Sequence, residues 1–180
     1  AKVIERWEST QYKYYMYYMA WINPPDEPAS SRIWVATASS PLGPFTAQAT
    51  PVFDNGWHVI GPCAFDDGGG NFYLLFTRDG TGNIVEGIPQ SFIYIVKLGS
   101  TMKSVTGPMR LMAKPEQPWE RTKTSYELRY WNEAPSIFKN NGTYYLVYSA
   151  GCWNSRQYKL GVATANSVMG TYVNDATPTY

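Results

Sequence analysis

The sequence predicts an all-β chain, a β-propeller built from four-stranded antiparallel blades. Three observations carry that expectation. Aromatic residues make up 16% of the chain, with 15 Tyr and 7 Trp, and charged residues stop at 16%. Gly and Pro are plentiful, at 15 and 13, a composition suited to short strands and tight turns rather than to a helical bundle. Finally, one succession of strands and turns recurs in the same order along the chain.

The first copy runs from Tyr14-Tyr15-Met16-Tyr17-Tyr18 through Ile33-Trp34-Val35-Ala36-Thr37-Ala38 to the corner Ser39-Ser40-Pro41-Leu42-Gly43-Pro44-Phe45. Its opening strand, Lys2 to Arg6, is barely legible, and Trp21 to Pro28 reads as a rigid, Pro-rich excursion. A weaker copy follows. In it Phe65-Asp66-Asp67-Gly68-Gly69-Gly70-Asn71 makes the turn, Phe72 to Phe76 the inner strand, and Ser91 to Leu98 the next strand. Lys114 to Thr124 is a polar, Pro-punctuated connection leading to Tyr126–Trp131. The last copy pairs Tyr144-Tyr145-Leu146-Val147-Tyr148 with Leu160-Gly161-Val162-Ala163-Thr164-Ala165 and ends on a corner from Asn166 to Tyr172.

Each copy reads as a first strand before a Gly or Asn turn, an aromatic second strand, a third strand of small residues and a short fourth. The blades fall at about 1–54, 57–113 and 130–180, within a single partial propeller domain over 1–180. A β-sandwich leaves the recurring turn chemistry unexplained. Propellers have at least about four blades. Three therefore predict a fragment of a longer protein, or a ring completed by another chain.

The third copy carries the chemistry. Glu133 stands immediately before a strand, and Asn141-Gly142 is a strong hairpin signal because both residues tolerate positive φ. Tyr144 to Tyr148 is apolar throughout, as expected of a strand buried on both faces. A carboxylate so placed lies at a sheet end, where functional groups gather. The plainer alternative is a strand-end carboxylate paired with an Arg or a backbone N–H. Asn141-Gly142-Thr143 is also a glycosylation sequon, though the turn explains it better.

Other classes are disfavoured. A net charge of +1 without a basic run argues against nucleic acid or an anionic membrane surface as partner. No apolar stretch approaches the roughly 18 residues of a membrane span. No leader is legible, and the abrupt start predicts that the true N-terminus lies elsewhere. Cys63 and Cys152 match no metal spacing and are expected as buried free thiols, with a disulfide left open. A single histidine, His58, argues against a His-based zinc site or a Ser-His-Asp triad. Neither metal nor cofactor is expected.

With these residues in view, the chain resembles glycoside hydrolase family 43, five-bladed propellers acting on arabinose- and xylose-containing polysaccharides. Three patterns carry the resemblance, which covers essentially the whole chain. Val3 to Tyr18 with the Ser-Pro-Leu-Gly-Pro-Phe corner is similar to the family's second blade. Ile60-Gly61-Pro62-Cys63-Ala64-Phe65-Asp66-Asp67-Gly68-Gly69-Gly70 is similar to the opening of its third. Asn132-Glu133-Ala134-Pro135 with Gly142-Thr143-Tyr144-Tyr145-Leu146 is similar to its fourth.

The resemblance implies an inverting hydrolase in which Glu133 is the general acid, a carboxylate across the sugar activates water, and a helper Asp tunes the acid. Two departures stand out. The base Asp maps onto none of the 180 residues, and the helper position holds Gly61. Asp66 and Asp67 read as turn formers, and Asp54 is a weak substitute for the helper. Trp57, Tyr130, Trp131 and Trp153 are candidates for sugar stacking, with His58 beside Trp57 as a hydroxyl contact. Packing between blades is the alternative for each. The resemblance further implies a carbohydrate partner, completing blades on a longer chain, and an extracellular or periplasmic location. The rival reading is a carbohydrate-binding module or pseudoenzyme that keeps an aromatic pocket and lacks turnover.

Overall fold

A computed structural model of the chain describes residues 1–22, 31–123 and 128–179. Asn23 to Pro28 of the Pro-rich excursion and Tyr126 lie outside the described residues. Three antiparallel sheets follow one another along the chain, the last two joined by a short parallel pairing into one continuous ten-stranded sheet. The first runs in order β1 (Lys2–Glu8), β2 (Gln11–Trp21), β3 (Ser31–Ala38) and β4 (Thr46–Ala47). The second contains β5 (Val59–Asp66), β6 (Phe72–Arg78), β8 (Ile88–Leu98) and β9 (Val105–Ala113), with the short β7 (Ile84–Val85) paired to β8. The third contains β11 (Leu128–Asn140), β12 (Thr143–Ala150), β13 (Lys159–Ala165) and β14 (Val173–Asn174), with β10 (Arg121–Lys123) paired to the start of β11.

Turn chemistry sets these registers. Asn141 and Gly142 take φ of 46° and 83°, closing β11 onto β12 with Asn140 opposite Thr143. Positive φ at both turn positions matches the right-handed twist of the flanking strands. In the middle sheet Asp67 accepts from the Gly69 and Asn71 backbone N–H groups and from the Asn71 side chain, at 2.8, 3.1 and 2.9 Å. Asp66 accepts from the Gly68 N–H at 2.8 Å. Both aspartates form the turn. Burial works against the charge on Asp67, but these bonds outweigh it and hold its carboxyl below the ordinary range.

Two cores lie between the sheets. Tyr15, Tyr17, Ile33 and Val35 pack with Leu74, Phe76, Val96 and Leu98 between the first and second. Leu75, Ile93 and Ile95 pack with Ile137, Leu146, Tyr148 and Ala163 between the second and third. The Tyr17 hydroxyl also donates to the Met102 carbonyl at 2.8 Å, joining the first sheet to the second.

Three sequence expectations are corrected. First, the opening strand is complete, paired to β2 from Lys2 opposite Tyr17 to Glu8 opposite Gln11. Its alternating charges hide it in the sequence, because only part of one face is covered. Second, burial on both faces is found in β6 and in most of β3, not in β12, and β6 is the second strand of its sheet rather than the inner one. In β12 burial alternates, with Tyr144, Leu146 and Tyr148 buried and Tyr145 and Val147 half-buried. The middle sheet has neighbours on both sides, whereas the third has a described neighbour on one. Third, Glu133 lies inside the long β11 rather than before a strand.

Strand β11 has two roles. Its start runs parallel to β8, Tyr130 opposite Gln90 and Trp131 opposite Ser91. It then crosses to pair with β12, and the ladder is interrupted by a bulge between Glu133 and Ser136.

Candidate active site

The bulge in β11 is what presents Glu133. Ala134 adopts a φ of 51°, and Pro135 follows it without an N–H to give to the ladder. A matching irregularity interrupts β5 between Ile60 and Cys63, where Gly61 has a φ of 59° before Pro62. Bulges re-aim side chains beside functional sites. Here two of them face each other, since a Cβ on Gly61 would lie 3.4 Å from both the Ala134 Cα and N. The helper position predicted from the resemblance is therefore adjacent to the Glu133 turn, and it carries no carboxylate.

Glu133 is half-buried and accepts a 2.8 Å hydrogen bond at Oε1 from the hydroxyl of Tyr158. Burial first, then the bond and charge of Glu133, push the Tyr158 phenol up to about 12, while Ser149 beside it pulls the other way. Tyr158 therefore stays a neutral donor across the ordinary pH range. Sequence reading missed it, because the turn between β12 and β13 carries no motif.

Behind Glu133 lies a second residue the sequence did not reveal. Glu120, in the 3-10 turn Pro118–Glu120, is 0% exposed. Its Oε2 accepts from the Glu116 and Gln117 backbone N–H groups, each at 2.7 Å. Its Oε1 accepts from Asn132 Nδ2 at 3.0 Å and from the Tyr148 hydroxyl at 2.7 Å. A buried carboxylate is tolerable when its oxygens are bonded in this way. The only sequence signal was the spacing from Gln117 to Glu120, a capping box.

The predicted aromatic contacts divide. Trp131 is only 6% exposed, and a Cβ on Gly80 would approach its Cζ3 to 3.0 Å. It packs between sheets and offers no open ring face, which corrects the stacking expectation. Trp57 is likewise covered, by the Arg78 guanidinium 4.2 Å from its ring centre and by the Tyr94 ring at 5.1 Å. His58 meets the Trp21 ring edge-on at 5.1 Å. Tyr130 carries the Arg121 guanidinium 5.2 Å above its ring. Trp153, 68% exposed, is open and lies in the same β12–β13 connection as Tyr158.

Asp54 pairs with Arg32 and accepts from the Gly56 N–H at 3.0 Å. These contacts fix the loop before β5. Cys63 and Cys152 are free and buried. Burial pushes the Cys63 thiol up, which suits an inert core residue. Among the described residues there is no group of three or more His, Cys, Asp or Glu able to hold a metal, and no helix is long and apolar enough to cross a membrane.

The site comprises a carboxylate on a bulge, a phenol that holds it and a fixed carboxylate behind. Comparison with known proteins adds a lineage. Residues 7–180 match the family described as glycosyl hydrolases family 43. A xylosidase/arabinosidase of Bacteroides ovatus is 29% identical, with 77% of this chain and 46% of that protein covered. The crystal structure of a thermostable family-43 glycoside hydrolase is 34% identical, with a TM-score of 0.80 over 91% of this chain and 50% of that one. An endo-1,4-beta-xylanase from Bacteroides thetaiotaomicron is 30% identical, with a TM-score of 0.69 over 92% of this chain and 49% of that one. The chain thus spans about half the length of the relatives it matches.

Proposed function

The chain belongs to glycosyl hydrolases family 43, and on that premise we propose that it is part of a glycosidase acting on xylose- or arabinose-containing polysaccharides or oligosaccharides. The three sheets are blades, at about 1–54, 57–113 and 130–180, of a propeller whose remaining blades lie outside these 180 residues. Glu133 is the general acid of an inverting reaction. It gives its proton to the leaving glycosidic oxygen while a carboxylate on those other blades activates water from the opposite face. Tyr158 holds Glu133 Oε1, which leaves Oε2 to face the leaving oxygen. Trp153, Tyr130 and His58 are the remaining sugar contacts, and an extracellular or periplasmic location is the one in keeping with a polysaccharide substrate.

The observation that carries this reading is Glu133 on a β-bulge with Tyr158 at 2.8 Å. A carboxylate with only a scaffolding role gains nothing from being turned out of the ladder. One feature favours a sugar-binding pseudoenzyme instead, namely Gly61 at the helper position.

The test is Glu133→Gln in the full-length protein, assayed on xylo- and arabino-oligosaccharides. Turnover should fall by about 10²- to 10⁴-fold, with binding of the intact oligosaccharide unchanged. Wild-type binding without turnover would establish the pseudoenzyme. Unchanged turnover in the variant would remove Glu133 from the acid role.

A further inference from the structure

We infer that Glu120 is a positioning residue for Glu133, an inference that rests on Glu133 being the proton donor. What Glu120 grips makes the case. Asn132 directly precedes Glu133 in β11, and Tyr148 directly precedes Ser149, the residue opposite Glu133 in the ladder. One carboxylate oxygen thus ties Asn132, on the rung before Glu133, to Tyr148, which lies opposite the bulge between the Glu133/Ser149 and Ser136/Val147 rungs. The other oxygen is bonded to two backbone N–H groups of its own turn, at 2.7 Å each.

The surroundings leave the clamp little freedom. The Trp119 ring stacks on Tyr148 at 6.3 Å between centroids. Gly161 approaches the same pair of rings so closely that a Cβ there would lie 2.6 Å from both Trp119 Cη2 and Tyr148 Cζ. Tyr148 therefore cannot swing away from Glu120 without displacing β13. Burial, together with Glu120, also drives the Tyr148 phenol well above the ordinary range, so it remains a donor.

Glu120→Gln tests the clamp with almost no change of shape. Glu116 N–H, Gln117 N–H and Asn132 Nδ2 can only donate, so whichever way the amide turns its NH₂ meets at least one donor and one pair loses its carboxylate acceptor, even where the Tyr148 hydroxyl turns to accept. The rung before the bulge then relaxes, and Glu133 loses its fixed aim at the leaving oxygen. A mispositioned acid slows departure of groups that need a proton. It leaves untouched those that depart as stable anions.

The experiment uses full-length protein, held well below its melting temperature, with xylobiose or the corresponding arabinobiose and the 2,4-dinitrophenyl glycoside of the same sugar. The expected result for Glu120→Gln is a kcat loss of about tenfold on the disaccharide and under about twofold on the dinitrophenyl glycoside, with KM changed by under about twofold on both. Equal losses on both substrates, or none on either, overturn the positioning role and leave Glu120 as scaffold. If Glu120→Gln does not fold, Tyr148→Phe withdraws one donor, and about a threefold split in the same sense is expected. Equal effects there overturn the proposal as well. Glu133→Gln, run alongside, separates the two ideas. If it keeps disaccharide turnover, the proton-donor reading fails. If it loses that turnover while neither other variant depends on the leaving group, only the positioning role fails.

Discussion

Gly61 and Ala134 face each other across the junction of β5 and β11, both at positive φ and both before a proline. A β-carbon on Gly61 would stand 3.4 Å from the Ala134 Cα and 3.7 Å from Pro135 Cδ, ordinary contact distances. The two inner strands are thus bent in the same way at the same level. Only one of them carries a carboxylate there.

Gly61→Asp is therefore expected to fold. Its φ of 59° is one that aspartate tolerates better than most residues. The cost should be about 1 kcal/mol, seen as a lowered melting temperature. If Gly61 occupies the helper position, kcat/KM on xylo- or arabino-oligosaccharides rises in the full-length protein. A folded variant with unchanged kinetics would place the helper elsewhere.

Gly161 is predicted to be intolerant for a different reason. A Cβ would lie 2.6 Å from both Trp119 Cη2 and Tyr148 Cζ, two rings already stacked on each other. Gly161→Ala should cost about 1–3 kcal/mol, measured by urea denaturation. A shift of the denaturation midpoint too small to resolve would show that the rings move apart freely.

Tyr158 makes a prediction at high pH. Its phenol ordinarily titrates at 10.0 and is pushed up to about 12, by burial first and also by Glu133. A raised pKa means that the fold favours the neutral phenol. That contribution is complete below pH 10 and is lost as pH rises through about 12. Tyr158→Phe should therefore flatten the fall in stability across this window relative to wild type, read as urea midpoints at successive pH values. Parallel curves would mean that the hydroxyl is not held as described.

What the sequence revealed and what it hid follow from the range of each interaction. The hairpin at Asn141-Gly142 and the turn at Asp66 and Asp67 were legible because their chemistry is local. Glu133 was legible through its neighbours Asn132, Ala134 and Pro135. Glu120 was not, because two of its four donors, Asn132 and Tyr148, come from β11 and β12, 12 and 28 residues further along the chain. The aromatics divided for the same reason. Composition counts the rings of Trp57 and Trp131, but Arg78 and Gly80 decide which faces remain open. Lys2–Glu8 escaped notice because an edge strand is held by main-chain pairing, to which charged side chains are indifferent.

The burial of β6 on both faces has a consequence for the chain before it folds. Phe72-Tyr73-Leu74-Leu75-Phe76-Thr77 is six residues of high strand propensity with no charge and no proline, the composition of segments that self-associate into fibrils. Burial on both faces leaves little room for a polar substitute from Tyr73 to Phe76. The protection sits at the ends of this run, with Asp66 and Asp67 before it and Arg78 and Asp79 after it. Charges so placed act as gatekeepers against aggregation. The aspartates of the β5–β6 turn thus guard the nascent chain as well as shape the turn.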